Sequence, residues 1–325
     1  MIAGFGSIGR RHFRNLLALG EQDIRFFRTR KSTLPEDELA GYMVENSLEE
    51  ALHHKPEAVI VSNPTGAHLD VAIPAVQAGC HLLLEKPISH NLDRLPELEQ
   101  AMRSSGSRLL VGYQFRFHPV LQQVKRLLDE GAIGRPLSAR AHWGEYLPDW
   151  HPWEDYRNSY SARGELGGGV VLTLSHPLDY LHWFFGEVDN LWAYVDQVSD
   201  LELHVDDFAE IAMRFHNGVS ASLQVNYFQR PPVHRLEVAG TLGTLTWDNS
   251  EGTACLYRVS SGRWENILPP PGFERNDLFI SEMRHFIEVA AGSSEPCCTL
   301  EDGKTALELA LAAMQSARQR RCIQL

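Results

Sequence analysis

The amino-acid sequence predicts a two-part α/β chain: a doubly wound parallel sheet in the N-terminal part, then an α/β domain whose strands suit an open, mostly antiparallel meander. Three observations predict it. Gly4, Gly6 and Gly9 of "MIAGFGSIGRRHF" form G-x-G-x-x-G at the start of the chain, a turn that normally joins a buried strand to a helix. Strand-like and helix-like runs then alternate as far as "RLLVG" at 108–112, which is βαβ arithmetic. Beyond residue 186 strand-like runs follow one another with turn signals between them.

Only Met1, Ile2 and Ala3 precede the glycine turn. Either the first strand is cut to about three residues, losing ladder hydrogen bonds, or the reading frame begins late. Phe13, Leu16 and Leu17 then fall at i, i+3, i+4, and Gly20 closes that helix. "IRFF" at 24–27 reads as the second strand. Ser47 and Glu50 form a capping box before "ALHH", "AVIV" at 58–61 is a strand, and 66–78 is a helix stopped by Gly79. "HLLL" at 81–84 and "RLLVG" are strands around a helix capped by Asn91. Farther on, "LWAYVDQV", "FAEIAMRFH", "VSASLQVNYF" and "HRLEVAG" are strand-like, with turns such as Asn217-Gly218 between them. Residues 281–290 and 306–317 are amphipathic helices that cover one face, and the prolines at 269–271 form a short exposed loop.

Composition narrows the function. With 325 residues, 43% hydrophobic and 22% charged, the chain is long enough for two domains and has ordinary soluble composition. A net charge of -12 argues against a nucleic-acid partner, which needs a basic field. No long apolar run and no signal pattern stand out, so the reading is cytoplasmic, with no membrane partner. Cys80, Cys255, Cys297, Cys298 and Cys322 have no metal-ligand spacing, and the adjacent pair is a poor disulfide; they read as reduced and structural, with no metal site.

In a doubly wound sheet, ligands bind at the carboxyl ends of the strands. A pyrophosphate there sits on the N–H groups of the helix starting near Ser7 and Ile8, where the dipole favours negative charge. The alternative is a tight turn with no ligand. An NAD site usually holds the ribose 2′-OH with Asp or Glu about 20 residues past the turn, whereas NADP sites place Arg there. This chain reads Phe27, Arg28, Thr29, Arg30, Lys31, with no acid until Glu36. Arg28 and Arg30 can make charge-assisted bonds to a phosphate, so NADP is favoured and NAD is the second choice; the bland alternative is a solvated basic loop. At the end of the next predicted binding strand, Glu85-Lys86-Pro87 puts a charged pair at the mouth of the sheet, where burial is costly unless the charges are used.

Together "GFGSIG", "SNPTGAHLDVAIPAVQAGCHLLLEKPIS" and "VGYQFRFHP" resemble the glucose-fructose oxidoreductase, inositol dehydrogenase and rhizopine-catabolism (Gfo/Idh/MocA) family over residues 1–119. "GELGGG", "HPLDYLHWFFG", "VDDFAEIAMRFHNG" and "TLEDGKTALELALAAMQSA" extend the likeness more loosely. The resemblance implies a Rossmann domain at 1–119. It also implies an α/β domain at 120–325 whose open, mostly antiparallel sheet binds substrate and builds homodimers or homotetramers. The implied activity is hydride transfer between a nicotinamide and a secondary hydroxyl of a sugar, cyclitol or sugar derivative. Lys86 matches the family's catalytic lysine and Pro87 its proline after a cis peptide bond, a geometry of roughly 5% of X–Pro bonds. Asn63, Pro64 and His68 match the cofactor loop, and Glu85 orients the lysine or contacts the ribose.

The chemistry stands beside the resemblance. Oxidising a carbinol needs a base for the hydroxyl proton, and a free lysine at a pKa of ~10.4 is protonated at pH 7. Lowering it to about 7.5 takes about 4 kcal/mol, which desolvation and the positive charge of an oxidised nicotinamide can supply. The alternative for Lys86 is a structural salt bridge. In "GGGVVLTLSHPLDYLHW" the family's aspartate is missing: its position reads Leu172, or Thr173 with a one-residue gap. His176 still relays a proton in this reading, with Thr173 and Asp179, themselves substrate candidates, one helical turn away; the alternative is a core histidine. The absent aspartate keeps open a rival of another class, a non-catalytic dinucleotide sensor on the same fold. The aromatic stretch "HWGEYLPDWHPWEDYRNSY" at 142–160 is the candidate substrate wall, because aromatic faces stack on sugar rings. Tyr156, Arg157 and Tyr160 are its polar handles, with Arg116 a further candidate; the competing reading is a subunit interface or packed loop.

Overall fold

The structure, a computed structural model, describes residues 1–29 and 37–325. The chain forms two compact units: Met1–Gln114 with Glu165–Gly167 and Glu274–Leu307, and Phe115–Gly164 with Gly168–Phe273 and Glu308–Leu325.

In the first unit the chain runs β1 (Ile2–Ala3), α1 (Ser7–Ala18), β2 (Arg25–Phe27), β3 (Met43–Glu45), α2 (Leu48–His53), β4 (Ala58–Val61), α3 (His68–Gln77), β5 (His81–Glu85), α4 (Leu95–Ser105) and β6 (Leu109–Gly112). The sheet order is β3-β2-β1-β4-β5-β6, with every pair parallel, the strand order of dinucleotide-binding folds. A parallel sheet covered on both faces needs strands apolar throughout. Val59, Ile60 and Val61, Leu82 to Leu84, and Leu109 to Val111 are accordingly all buried, each such side chain contributing about 1.5–3 kcal/mol of transfer free energy. Phe13 on α1 meets Phe5, Phe26 and Tyr42 edge to face, at 5.9, 5.3 and 5.0 Å.

Sequence boundaries and structure differ in places. β1 keeps two residues. β3, a short outer strand with mixed burial, carries no sequence signal strong enough to read. The helix expected to begin at Asn91 begins at Leu95. Asn91 instead accepts the Asp93 N–H at 3.1 Å in the preceding turn, and Pro96, with φ already set for a first helical turn, starts the helix later. Ser47 does cap α2, accepting the Glu50 N–H at 3.4 Å.

The second unit contains α5 (Pro119–Asp129), β7 (Pro136–Tyr146), α6 (Val170–Thr173), α7 (His176–Phe185), β8 (Val188–Asp196), β9 (Phe208–Phe215), β10 (Ser220–Asn226), β11 (Phe228–Gly240), β12 (Gly243–Asp248), β13 (Thr253–Arg258) and β14 (Arg263–Ile267). After α8 (Arg275–Ala291) and α9 (Leu300–Gln319), β15 (Ile323–Gln324) completes a sheet of order β14-β13-β12-β11-β7-β10-β9-β8-β15. It is mixed: β7 and β10 are parallel and the other pairs antiparallel. Helix α8 belongs to the first unit, packed on α1, β5 and β6, a return that a single division near residue 119 does not contain. An amphipathic pattern shows that a helix covers something, not which sheet it covers. Among the described residues the cysteines form no disulfide, with Cys80 and Cys298 buried, and no helix is long and apolar enough to cross a membrane.

Candidate active site

In the first unit, the glycine turn leaves β1 and the Glu-Lys-Pro turn leaves β5, both at the carboxyl ends of the same parallel sheet, with β4 between them. Gly4 has φ +95°, and a Cβ on it would lie 2.7 Å from the Asn63 nitrogen. A Cβ on Gly9 would lie 2.3 Å from the Gly4 oxygen and 2.9 Å from Ser62 Oγ, the hydroxyl that donates to the Ala3 and Gly4 carbonyls at 3.1 Å each. These two glycines let the loops after β1 and β4 touch. Gly6 is different: among the described residues nothing lies within 4 Å of where its Cβ would be. It is the N-cap of α1 and supplies no side-chain cap, so Gly6, Ser7 and Ile8 present bare backbone at the positive end of a twelve-residue helix. That geometry fits a dinucleotide pyrophosphate, with Gly4 and Gly9 shaping the cradle.

At the end of β2, Arg28 is buried, its guanidinium 5.7 Å from the Phe5 ring centre, while Arg10 lies over the same ring at 4.5 Å. Thr29 is exposed, and Arg30 lies outside the described residues. Glu38 accepts hydrogen bonds from Arg10 Nη1 at 2.7 Å and from Arg14 Nε and Nη2 at 2.8 and 2.7 Å. The Arg14 bonds, then Arg10, hold its carboxyl below the usual range despite partial burial.

Past β4, Asn63 Nδ2 donates to the Ala67 carbonyl at 2.9 Å, and Pro64 leads into a 3-10 turn at Thr65–Ala67. His68 is buried between two carbonyls, Nδ1 2.9 Å from Pro87 O and Nε2 2.9 Å from Asn63 O, so it ties the cofactor-loop candidate to the Lys86 turn. Burial lowers its pKa, outweighing Glu85 and the carbonyls. The Lys86-Pro87 bond is cis, and Lys86 itself is half-buried. Glu85 accepts the Lys86 N–H at 3.2 Å on one oxygen and contacts His12 Nε2 at 2.7 Å with the other. Burial would raise the Glu85 carboxyl, but the His12 hydrogen bond and charge, together with Lys86, bring it below its ordinary value. Gly303 on α9 keeps the turn closed: a Cβ there would stand 2.7 Å from Ile88.

Sequence reasoning passed over His12, although it lies one helical turn after Gly9 and so shares its face.

In the second unit, Arg116 and Asp179 occupy each other. Arg116 Nε donates to both Asp179 oxygens at 3.1 and 3.2 Å and Nη2 donates at 2.7 Å, with both groups buried. His176 is 1% exposed, 5.0 Å from the Phe115 ring and 5.5 Å from Trp143. Thr173 is buried, and burial raises the pKa of the Tyr227 hydroxyl well above normal. Gly168 and Gly169 feed α6: a Cβ on Gly168 would lie 2.4 Å from Tyr160 O, and one on Gly169 2.4 Å from Asp206 Oδ1. Asp206 accepts the Val171 N–H at 2.9 Å, and burial raises its pKa.

The aromatic stretch divides. His142 to Tyr146 lie in β7, where Trp143 stacks on His234 at 4.4 Å. The rest is short 3-10 turns, in which the Tyr156 hydroxyl donates to Leu201 O at 3.0 Å and exposed Arg157 pairs with Asp155 and Glu202 at 2.8 and 2.7 Å. Tyr160 is half-buried. Asp206, Tyr227 and His234, which sequence reasoning did not single out, carry no spacing signal.

Family models match along the chain. Residues 1–113 match the oxidoreductase family with NAD-binding Rossmann fold, and residues 121–246 the GFO/IDH/MocA C-terminal domain. The chain is 29% identical to the uncharacterized oxidoreductase YrbE of Bacillus subtilis (strain 168), over 97% of this chain and 93% of that protein. It is 26% identical to the myo-inositol 2-dehydrogenase of Thermotoga maritima, over 100% of this chain and 97% of the relative. In three dimensions it resembles a levoglucosan dehydrogenase solved with NADH and levoglucosan, at a TM-score of 0.87 and 19% identity, covering 99% of this chain and 98% of the other.

Proposed function

The chain belongs to the Gfo/Idh/MocA family of oxidoreductases, and on that premise we propose that it is a nicotinamide-dependent dehydrogenase acting on a secondary hydroxyl of a sugar, cyclitol or sugar derivative. One observation carries this reading: within one unit, half-buried Lys86 stands at the carboxyl end of β5, and the bare helix start at Gly6 follows β1 in the same parallel sheet. The cofactor, when bound, supplies the acceptor for the carbinol hydride. Gly6, Ser7 and Ile8 hold the pyrophosphate with backbone N–H groups. Lys86 Nζ takes the hydroxyl proton, and Glu85 fixes the turn by accepting the Lys86 N–H. His68 keeps that turn against the Asn63 and Pro64 loop. Tyr160 and Thr173 are the proposed polar contacts to the sugar, and His176 the proposed relay.

The test is turnover of NADP with a panel of sugars, cyclitols and nucleotide sugars. Wild type turns over at least one of them, and Lys86→Met lowers kcat at least about a thousandfold while the dinucleotide still binds. One observation favours a sensor instead: no carboxylate stands at Leu172 or Thr173, and His176 is buried. Tight dinucleotide binding with no turnover of any panel member would decide for that reading.

We further propose a preference for NADP. Its support is that Arg28 follows β2 where NAD sites carry an acid, and that Glu38 is already engaged by two arginines. Arg28→Ala is expected to weaken NADP about tenfold or more and NAD little; equal affinity of wild type for the two cofactors refutes it. Pairing of subunits through the nine-stranded sheet is proposed on the exposed Trp192 and Tyr194 of β8 and Trp264 of β14. Light scattering of a Trp192→Glu, Tyr194→Lys double variant is expected to give the monomer mass.

A further inference from the structure

Glu282 lies on α8, among Leu278, Phe279, Met283 and Phe286 on the buried side of that helix. It has no exposed surface, and among the described residues neither carboxyl oxygen has a hydrogen-bond partner. Buried polar groups are nearly always paired, so an orphaned carboxyl calls for an account. It is not alone. Glu282, Glu85 and His12 bring one polar atom each to within 4.8 Å of one another. His12 is also buried, and its Nδ1 has no hydrogen-bond partner among the described residues. Gly112 of β6 makes room for the cluster: a Cβ there would press to 3.2 Å of the Glu85 carboxyl carbon.

Two carboxylates this close in a dry interior cannot both keep their charge. The surroundings decide which yields. Glu85 has the short contact to His12 Nε2, the Lys86 N–H and the Lys86 charge on its side. Arg11, its guanidinium 4.3 Å from the Phe279 ring, and His68 also feel the Glu85 charge, while Arg275 acts on Arg11. Glu282 has no such support: burial and the Glu85 charge both push its pKa well up.

We propose that Glu282 is a positioning residue held as an uncharged carboxylic acid, so that Glu85 is the single anion of the His12–Glu85–Glu282 cluster beneath Lys86. The proposal rests on reading Lys86 as the base. A second anion at this distance would favour the Lys86 ammonium and raise the pH at which the amine can accept a proton. The uncharged acid also keeps a polar group within 4.8 Å of His12 and Glu85, which a hydrocarbon side chain does not.

The test uses the full-length protein. An acid with a raised folded-state pKa is fully stabilising below its unfolded value and loses that contribution as pH rises through the folded value. The melting temperature of Glu282→Gln should therefore gain on the wild type as pH rises from about 5 to about 8. In kinetics, Glu282→Leu should lower kcat about tenfold with KM within about twofold and move the pH–rate profile, and Glu282→Gln should recover most of that loss. Should the glutamine variant fail to fold, infrared difference spectra decide: a buried carboxylic-acid C=O band at neutral pH that is present in the wild type and missing in Glu282→Leu supports the proposal, and no such difference overturns it.

A melting-temperature gap constant with pH overturns the proposal whatever Lys86 does. So does one equivalent of a divalent metal in the purified protein whose chelation lowers the melting temperature, because Glu282 would then be an ionised ligand. Full turnover by Lys86→Met refutes the base instead, and the melting curves still report the charge of Glu282.

Discussion

At the scale of single residues, space and charge make separate demands. Gly9 is a demand of space: a methyl group there meets the Gly4 carbonyl at 2.3 Å, backbone that can yield only by opening the loop. Gly9→Ala is expected to cost about 1–3 kcal/mol of stability and to weaken dinucleotide binding, read by thermal melts and fluorescence titration. His118 is a demand of charge. It caps α5 by accepting the Val120 and Leu121 N–H groups on Nδ1 at 3.2 and 3.4 Å, and burial lowers its pKa to about 4. Its stabilising contribution is whole above the unfolded value of about 6.5 and is lost as pH falls towards about 4. His118→Asn, which keeps an acceptor for the cap, should flatten that part of the acid-unfolding curve; an unchanged curve would exclude His118 as its source. Lys86 was legible because a charge at the end of an apolar strand stands out in one dimension. Glu282 was not, because the partners that give it meaning lie on α1 and β5, far away in the sequence, although an acid on the apolar face of "FISEMRHF" is the signal that could have found it.

At the scale of elements, the buried parallel strands were the most legible part. "AVIV" and the three leucines of "HLLL" are apolar throughout because both faces of β4 and β5 are covered. β3 was illegible for the opposite reason: Met43 is exposed, and Val44 and Glu45 are half-buried, at the outer position of the sheet. Among helices, α7 is fixed to the start of its unit by the Arg116–Asp179 pair. Removing one partner strands the other charge, so Arg116→Ala is expected to cost about 3–5 kcal/mol. Denaturant unfolding checks it. If instead the loss appears in KM with stability unchanged, the pair serves the substrate, the role sequence reasoning gave both residues. The register of β7 was partly legible too: the aromatic run was taken as one wall, but alternation along a strand sends Trp143 to the buried side and leaves its neighbours to other tasks.

At the scale of the whole molecule, the chain does not finish one unit before starting the other. The parallel sheet is complete by Gly112, yet the helix that lies on α1, β5 and β6 comes from residues 275–291. The outer edge of β6 is also closed late, where the Val111 N–H donates to Cys298 O at 3.0 Å. A gene fragment cut at residue 119 would therefore express a sheet with one flank bare and an unpaired rim, a form prone to stick to its own copies. Fusing 274–307 to that fragment through a flexible tether should recover a soluble, cooperatively melting product. During synthesis, too, the nucleotide half must wait until residue 291 has left the ribosome before this helix can dock.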